Sequence, residues 1–252
     1  MNTFRTLIIS YNNYKEIVLF LNGLVGDHIA FWFMNKQGKV RLRVPSIVVD
    51  MVRNKAHEFN LECTETVYEP EEYLFGGNES ISIVNNILCD IAGITVRVKY
   101  LVNEKRIQEG VEDCFYLFLV NRMLQYSHFD DFETWDIWNK VCSHRQIDVK
   151  KYGEILMSKL YDVYCAISSK EFDILILDAD NTICYGEDIK LQCDGLSKLA
   201  YSSLLSRGIR GVISSVIIFS FNMMGISAQK QCGFAHIMRI LTSPDFRRYV
   251  GL

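Results

Sequence analysis

Apolar and polar positions alternate strictly in one early part of the chain and fall at helical spacing in the rest. Between residues 40 and 44, Val40, Leu42 and Val44 share one strand face while Arg41 and Arg43 share the other. An apolar run precedes them across Asn35-Lys36-Gln37-Gly38, which predicts a hairpin of strands 29–34 and 40–44. Further strands are predicted over 6–10 and 62–68. Pro45 opens a predicted helix through residue 57, a first helical position where no N–H partner is lost. After Asn78 helices follow over 79–91, 111–126, 132–143, 149–168, 187–206 and 210–224, with a last one ending at 241. Strands early and helices late predict an α+β fold, an antiparallel or mixed sheet packed against a largely helical C-terminal half. The chain reads as one domain over 1–252, sheet-rich to residue 100 and helix-rich beyond, since it has three prolines and no Gly/Ser-rich tract to mark a linker.

Composition narrows the partners. With 252 residues, 49% of them hydrophobic, the chain can bury a full core. A net charge of -3 with scattered Lys and Arg leaves no electrostatic footprint for nucleic acid. The eight cysteines include no CxxC pair and sit mostly among apolar residues, which is the pattern of reduced, structural thiols. The first ten residues lack the charge pattern of a secretory signal, so the expected compartment is the cytoplasm. Residues 211–228 carry no charge, but Ser214, Ser215, Ser220, Asn222 and Ser227 within them favour a buried core helix over a membrane span. No membrane is expected as a partner.

Two motifs carry candidate chemistry. Arg41 and Arg43, two guanidiniums on one strand face, suit a carboxylate, a phosphate or a row of peptide carbonyls; the plain alternative is a solvated strand face. In the segment VYEPEEYLFGG, Pro70 extends Glu69, and Gly76-Gly77 permits a turn with positive φ before a helix. Tyr68, Glu69, Glu71 and Glu72 are thereby placed at the mouth of the sheet.

These segments resemble the C-terminal elimination domain of lantibiotic dehydratases and its stand-alone relatives in thiopeptide bacteriocin biosynthesis. The Arg-x-Arg strand after an aromatic-rich partner (Phe31, Trp32, Phe33) is similar to the family's, as is Tyr-Glu-Pro-Glu before a Gly-Gly turn. Leu74 and Phe75 stand where the family commonly has Arg-Tyr. Near the C-terminus, residues 215–223 resemble the family's Ser-Leu-Leu-His-Met-His-x-Asn-Arg helix. Asn222 is kept, whereas Ile218 and Ser220 occupy the two His positions and Met223 the Arg position.

Elimination of glutamate from a glutamylated Ser or Thr needs a base and a cationic grip on the departing carboxylate, and Ile218 supplies neither. The resemblance therefore implies the relatives that keep the scaffold without that base, the stand-alone pyridine synthases of thiopeptide pathways. They join two dehydroalanines of a modified peptide in a formal [4+2] aza-cycloaddition, then expel water and the leader peptide. That chemistry needs confinement and oriented donors. Ser220, Tyr68 and Glu69 are the expected catalytic groups, with Arg41, Arg43, Trp32, Asn222, His28 and Tyr201 expected to hold substrate. His28 starts the hairpin and is the histidine expected to face the cleft; His57, His128, His144 and His236 read as structural. No metal and no organic cofactor is implied. The implied partners are a precursor peptide bearing its leader and the other enzymes of the pathway.

Two other classes compete. Residues 174–183, ILILDADNTI, look like the nucleophile strand of haloacid-dehalogenase phosphatases, with Asp178 as nucleophile, Asp180 as acid/base and Mg²⁺ between them. The mostly helical remainder lacks the sheet that such a fold requires. A non-catalytic scaffold that binds the leader for another enzyme fits the lost His and Arg as well as changed chemistry does. A glutamate-eliminating lyase that recruits its base elsewhere is the nearest enzymatic alternative.

Overall fold

The computed structural model describes residues 4–36, 38–69, 71–107, 111–144 and 185–246. The predicted helix 149–168 and the 174–183 motif, with Asp178 and Asp180, lie outside the described residues.

The chain opens with β1 (Phe4–Ser10), α1 (Tyr14–Gly26), β2 (Trp32–Lys36), β3 (Lys39–Pro45), a short 3₁₀ turn (Ser46–Val48), α2 (Val49–Glu58) and β4 (Glu62–Thr66). All pairings are antiparallel in the order β2-β3-β1-β4. This is a split β-α-β arrangement in which α1 and α2 each cross between parallel strands, and right-handed crossovers place both on one face. The covered face carries Leu7, Ile9, Phe33, Val40, Leu42 and Val44, all buried. Above it Phe20 of α1 meets Phe59 beyond α2 edge to face, with ring centres 5.9 Å apart.

The helical half follows as α3 (Asn78–Asn103), α4 (Val111–Tyr126), α5 (Asp131–His144), α6 (Tyr185–Tyr201), α7 (Ile209–Met224) and α8 (Ala228–Leu241). The α+β expectation holds, and the sheet is antiparallel throughout. The predicted strand 29–34 is found at 32–36, the strand 62–68 ends at Thr66 and the helix 187–206 ends at Tyr201, and three further differences have a clear physical reason. α1 is a helix that the alternation did not predict; its start is fixed by Asn13, whose side chain accepts from the Lys15 amide at 2.9 Å. Pro45 pairs with Phe4 as the last residue of β3, and the helix begins only at Val49. α3 runs 26 residues, straight past Gly93, because Ile94, Val96, Val98 and Leu101 are buried beyond it. Their burial outweighs the roughly 1 kcal/mol that a glycine costs inside a helix.

α7 is buried on nearly every side, the signature of a central core helix. It packs against α5, where Trp138 stacks on Phe221 at 6.4 Å. Among the described residues one helix, α3, is long and apolar enough to cross a membrane, and 56% of its most apolar stretch is buried against the rest of the fold. Cys63, Cys89, Cys142 and Cys193 are free thiols.

Candidate functional site

The face of the sheet turned away from α1 and α2 carries Phe4, Thr6, Ile8, Trp32, Met34, Arg41 and Arg43, since residues opposed across antiparallel strands share a face. α3 and α7 lie against its β2 end. Trp32, fully buried, meets Phe75 at 6.3 Å and Phe219 of α7 at 5.8 Å, and Phe75 meets Phe219 at 5.3 Å, all edge to face. Leu74-Phe75 thus supplies an apolar wedge at this turn.

That wedge is held by a glycine turn. Gly76 and Gly77 adopt φ of +89° and +103°. A Cβ on Gly76 would lie 2.8 Å from Val212 Cγ2, and its carbonyl accepts from the Ser206 amide at 2.8 Å. Gly76→Ala is therefore expected to cost about 1–3 kcal/mol, from the strained φ and the clash together. A shift of the urea midpoint at unchanged slope would show it, and a shift under ~0.5 kcal/mol would contradict it.

Beside the aromatic wedge, Arg43 is only 7% exposed. Its guanidinium lies 4.7 Å over the Trp32 ring, and its Nη1 donates to the Arg41 carbonyl at 3.1 Å. Arg43 Nε is buried with no acceptor, and no carboxylate among the described residues lies within ion-pair distance of the guanidinium. Burial pushes this group below the ordinary arginine range; Tyr68 opposes the shift, Arg41 reinforces it and Glu71 opposes it.

Tyr68 completes the polar cluster. Its hydroxyl donates to Asn85 Oδ1 at 3.3 Å, and the same oxygen accepts from Trp32 Nε1 at 3.0 Å. Burial raises the phenol above its ordinary value, against the smaller opposing effects of the Asn85 bond and Arg43, so at neutral pH Tyr68 is a neutral donor. Glu69 is exposed at the next position.

Further along the same face, a pocket of about 600 Å³ opens between the tip of the β2–β3 hairpin and the end of α7. Arg41, Asn35, Tyr11 and Asn222 supply its polar lining. Tyr11 donates to Asn35 Oδ1 at 2.7 Å, and Asn222 Oδ1 accepts from Gln231 at 2.9 Å. Arg41, exposed, connects this pocket to the Arg43–Trp32–Tyr68 cluster.

Trp32, Arg41, Arg43, Tyr68 and Asn222 are thus brought to one face; three expected residues are not. Ser220 is fully buried and donates back to the Val216 carbonyl at 2.8 Å, and two residues from Asn222 on a helix it points to the other side. His28 sits exposed with φ of +55° on the turn that ends α1. Tyr201 is 92% exposed at the end of α6. Asn85, which joins Trp32 to Tyr68, was missed by sequence reasoning; its signal is a polar residue on the buried stripe of α3, between Val84 and Leu88. Among the described residues no group of three His, Cys, Asp or Glu side chains is arranged to hold a metal ion.

No protein-family model matches the chain, and no curated protein matches it. Among solved structures, the crystal structure of TsrL is similar, with a TM-score of 0.53 at 12% identity over 99% of this chain and 96% of that one. At that identity the likeness shows a shared fold along the whole length.

Proposed function

We propose that the chain is a thiopeptide-pathway enzyme that acts as a pyridine synthase, joining two dehydroalanines of a ribosomally made, azole-bearing peptide. The observation that carries the reading is Arg43, a buried cation whose Nε has no acceptor and which no carboxylate among the described residues approaches within ion-pair distance, set against an aromatic wall. Flat, neutral heterocycles and amide carbonyls suit such surroundings. The fold shared with TsrL over nearly the whole chain supports the scaffold that the resemblance requires.

In this reading Arg43 and the neutral Tyr68 hydroxyl donate to a substrate amide oxygen and favour its iminol form. Glu69, exposed beside them, accepts the amide proton. The resulting 2-azadiene adds across the second dehydroalanine, forming two C–C bonds that close the six-membered ring. Water and the leader, released as a carboxamide, then leave, and the ring becomes aromatic. Trp32, Phe75 and Phe219 exclude water from the reacting face. Ser220, sealed against Val216, is left without a part in this assignment. The cytoplasm, where a precursor peptide and its other enzymes would meet the chain, is the compartment that goes with it.

Incubating the protein alone with a leader-linked thiazolyl peptide that carries two dehydroalanines tests the proposal. Loss of water with release of the leader carboxamide, read by mass spectrometry, is the expected result. An unchanged mass would overturn it. Glutamate release from a glutamylated peptide in a parallel reaction would instead identify a lyase, and silence in both a binding scaffold.

A further inference from the structure

The pocket's wall on α7 ends where that helix ends, at Asn222, Gly225 and Ile226. Gly225 takes φ of +78° and closes the helix, its amide donating to the Asn222 carbonyl at 3.2 Å and that of Ile226 to the Phe221 carbonyl at 3.0 Å. The carbonyl of Met224, the last residue of α7, accepts from a side chain on a different helix, Lys99 Nζ of α3, at 2.7 Å. Lys99 reaches it through a narrow passage. Its Nζ stands 5.6 Å from the ring centre of Tyr14 on α1 and 5.7 Å from that of Tyr116 on α4. A Cβ on Gly225 would lie 3.5 Å from the same Nζ.

We propose that Lys99 is a positioning residue of the pocket, clamping the C-terminal turn of α7 so that Asn222, Gly225 and Ile226 form a fixed wall for the substrate. The inference rests on reading that pocket as the substrate site. Lysine suits the task because either protonation state keeps an N–H for the Met224 carbonyl, and in the charged state it also complements the negative end of the α7 dipole.

The same geometry makes the clamp sensitive to pH. Burial lowers the ammonium from its ordinary 10.5 to about 8, against the opposing pull of Glu112 and Asp113 on α4. Asp113 is itself bonded to Lys230 of α8 at 2.7 Å. The flanking phenols stay neutral in this range, Tyr14 being pushed up to about 12 and Tyr116 well above its ordinary value by burial. An opening of the turn that lets water reach Lys99 takes up a proton at pH values between about 8, where the buried ammonium titrates, and its ordinary 10.5. Opening therefore becomes rarer as pH rises, by roughly tenfold between pH 7 and pH 9.

Amide hydrogen exchange at Gly225 and Ile226, corrected for intrinsic rates, reads this without any substrate. Exchange in Lys99→Met is expected to be at least tenfold faster at pH 7, with the amides at the centre of α3 unchanged. The wild type is expected to show the tenfold rise in protection by pH 9, and the variant none. With substrate, KM for the dehydrated peptide should rise in Lys99→Met while kcat changes less. Equal protection in both proteins, or a wild type insensitive to pH, would overturn the clamp. Should the exchange behave as expected while no peptide is converted by either protein, the clamp stands and the cyclase reading falls. The wild-type pH series decides even if the variant fails to fold.

Discussion

Arg43→Met is expected to lower turnover of the dehydrated peptide by about 100- to 1000-fold while leaving the protein as stable as the wild type or up to about 2 kcal/mol more stable. The loss is the scale of removing one preorganised donor from a site where charge develops. The stability follows from what Arg43 gives up in the free enzyme. Its guanidinium is buried, has one backbone acceptor and lies over an indole, yet no carboxylate among the described residues lies within ion-pair distance of it. A buried cation so placed costs desolvation energy that a methionine of similar length does not. Opposite movement of the two quantities is the signature of a residue kept for function. Steady-state kinetics beside urea unfolding would check it, and activity within threefold of wild type would remove Arg43 from the site.

Trp32→Ala is expected to destabilise the fold by about 3–5 kcal/mol, the range for emptying a buried aromatic position. The cavity would open between Phe75 and Phe219 and remove the surface on which Arg43 rests. Asn85 would lose the 3.0 Å bond from the indole, leaving Tyr68 as its remaining described donor. For that reason Trp32→Ala and Asn85→Ala should couple: the double variant should cost at least 1 kcal/mol less than the sum of the singles. Thermal or urea denaturation of the four proteins gives the cycle, and strict additivity would show that the Trp32–Asn85 bond contributes nothing.

The hairpin was legible because Val40, Leu42 and Val44 repeat with a period of two and bury together, which fixed the opposite face for Arg41 and Arg43. The alternation did not show that Arg43 would be buried and Arg41 exposed; that depends on Trp32 packing over one and a pocket opening at the other. α1 escaped detection because YKEIVLFLNGLVG is nearly apolar throughout and carries two glycines, so only the Asn13 cap marks its start. The reach of α3 past Gly93 was likewise a tertiary effect. Tyr68 was legible from its place before the Gly-Gly turn. Ser220 was not, because in a helix buried on nearly every side neighbouring polar residues look alike in sequence, and only packing separates Asn222 at the pocket from Ser220 bonded to its own backbone.

α3 carries Asn85 at one part of the site and Lys99 at another, fourteen residues apart on one continuous helix. At 1.5 Å per residue they stand about 21 Å apart along the axis, and fourteen steps of 100° return to within about 40° of the same side. The helix therefore acts as a ruler. Inserting or deleting one residue between them would swing one end away by about 100°, so the span cannot be tuned in small steps by changing length. Descendants of this chain that handle longer or shorter substrates would have to keep the ruler and change the side chains that read it.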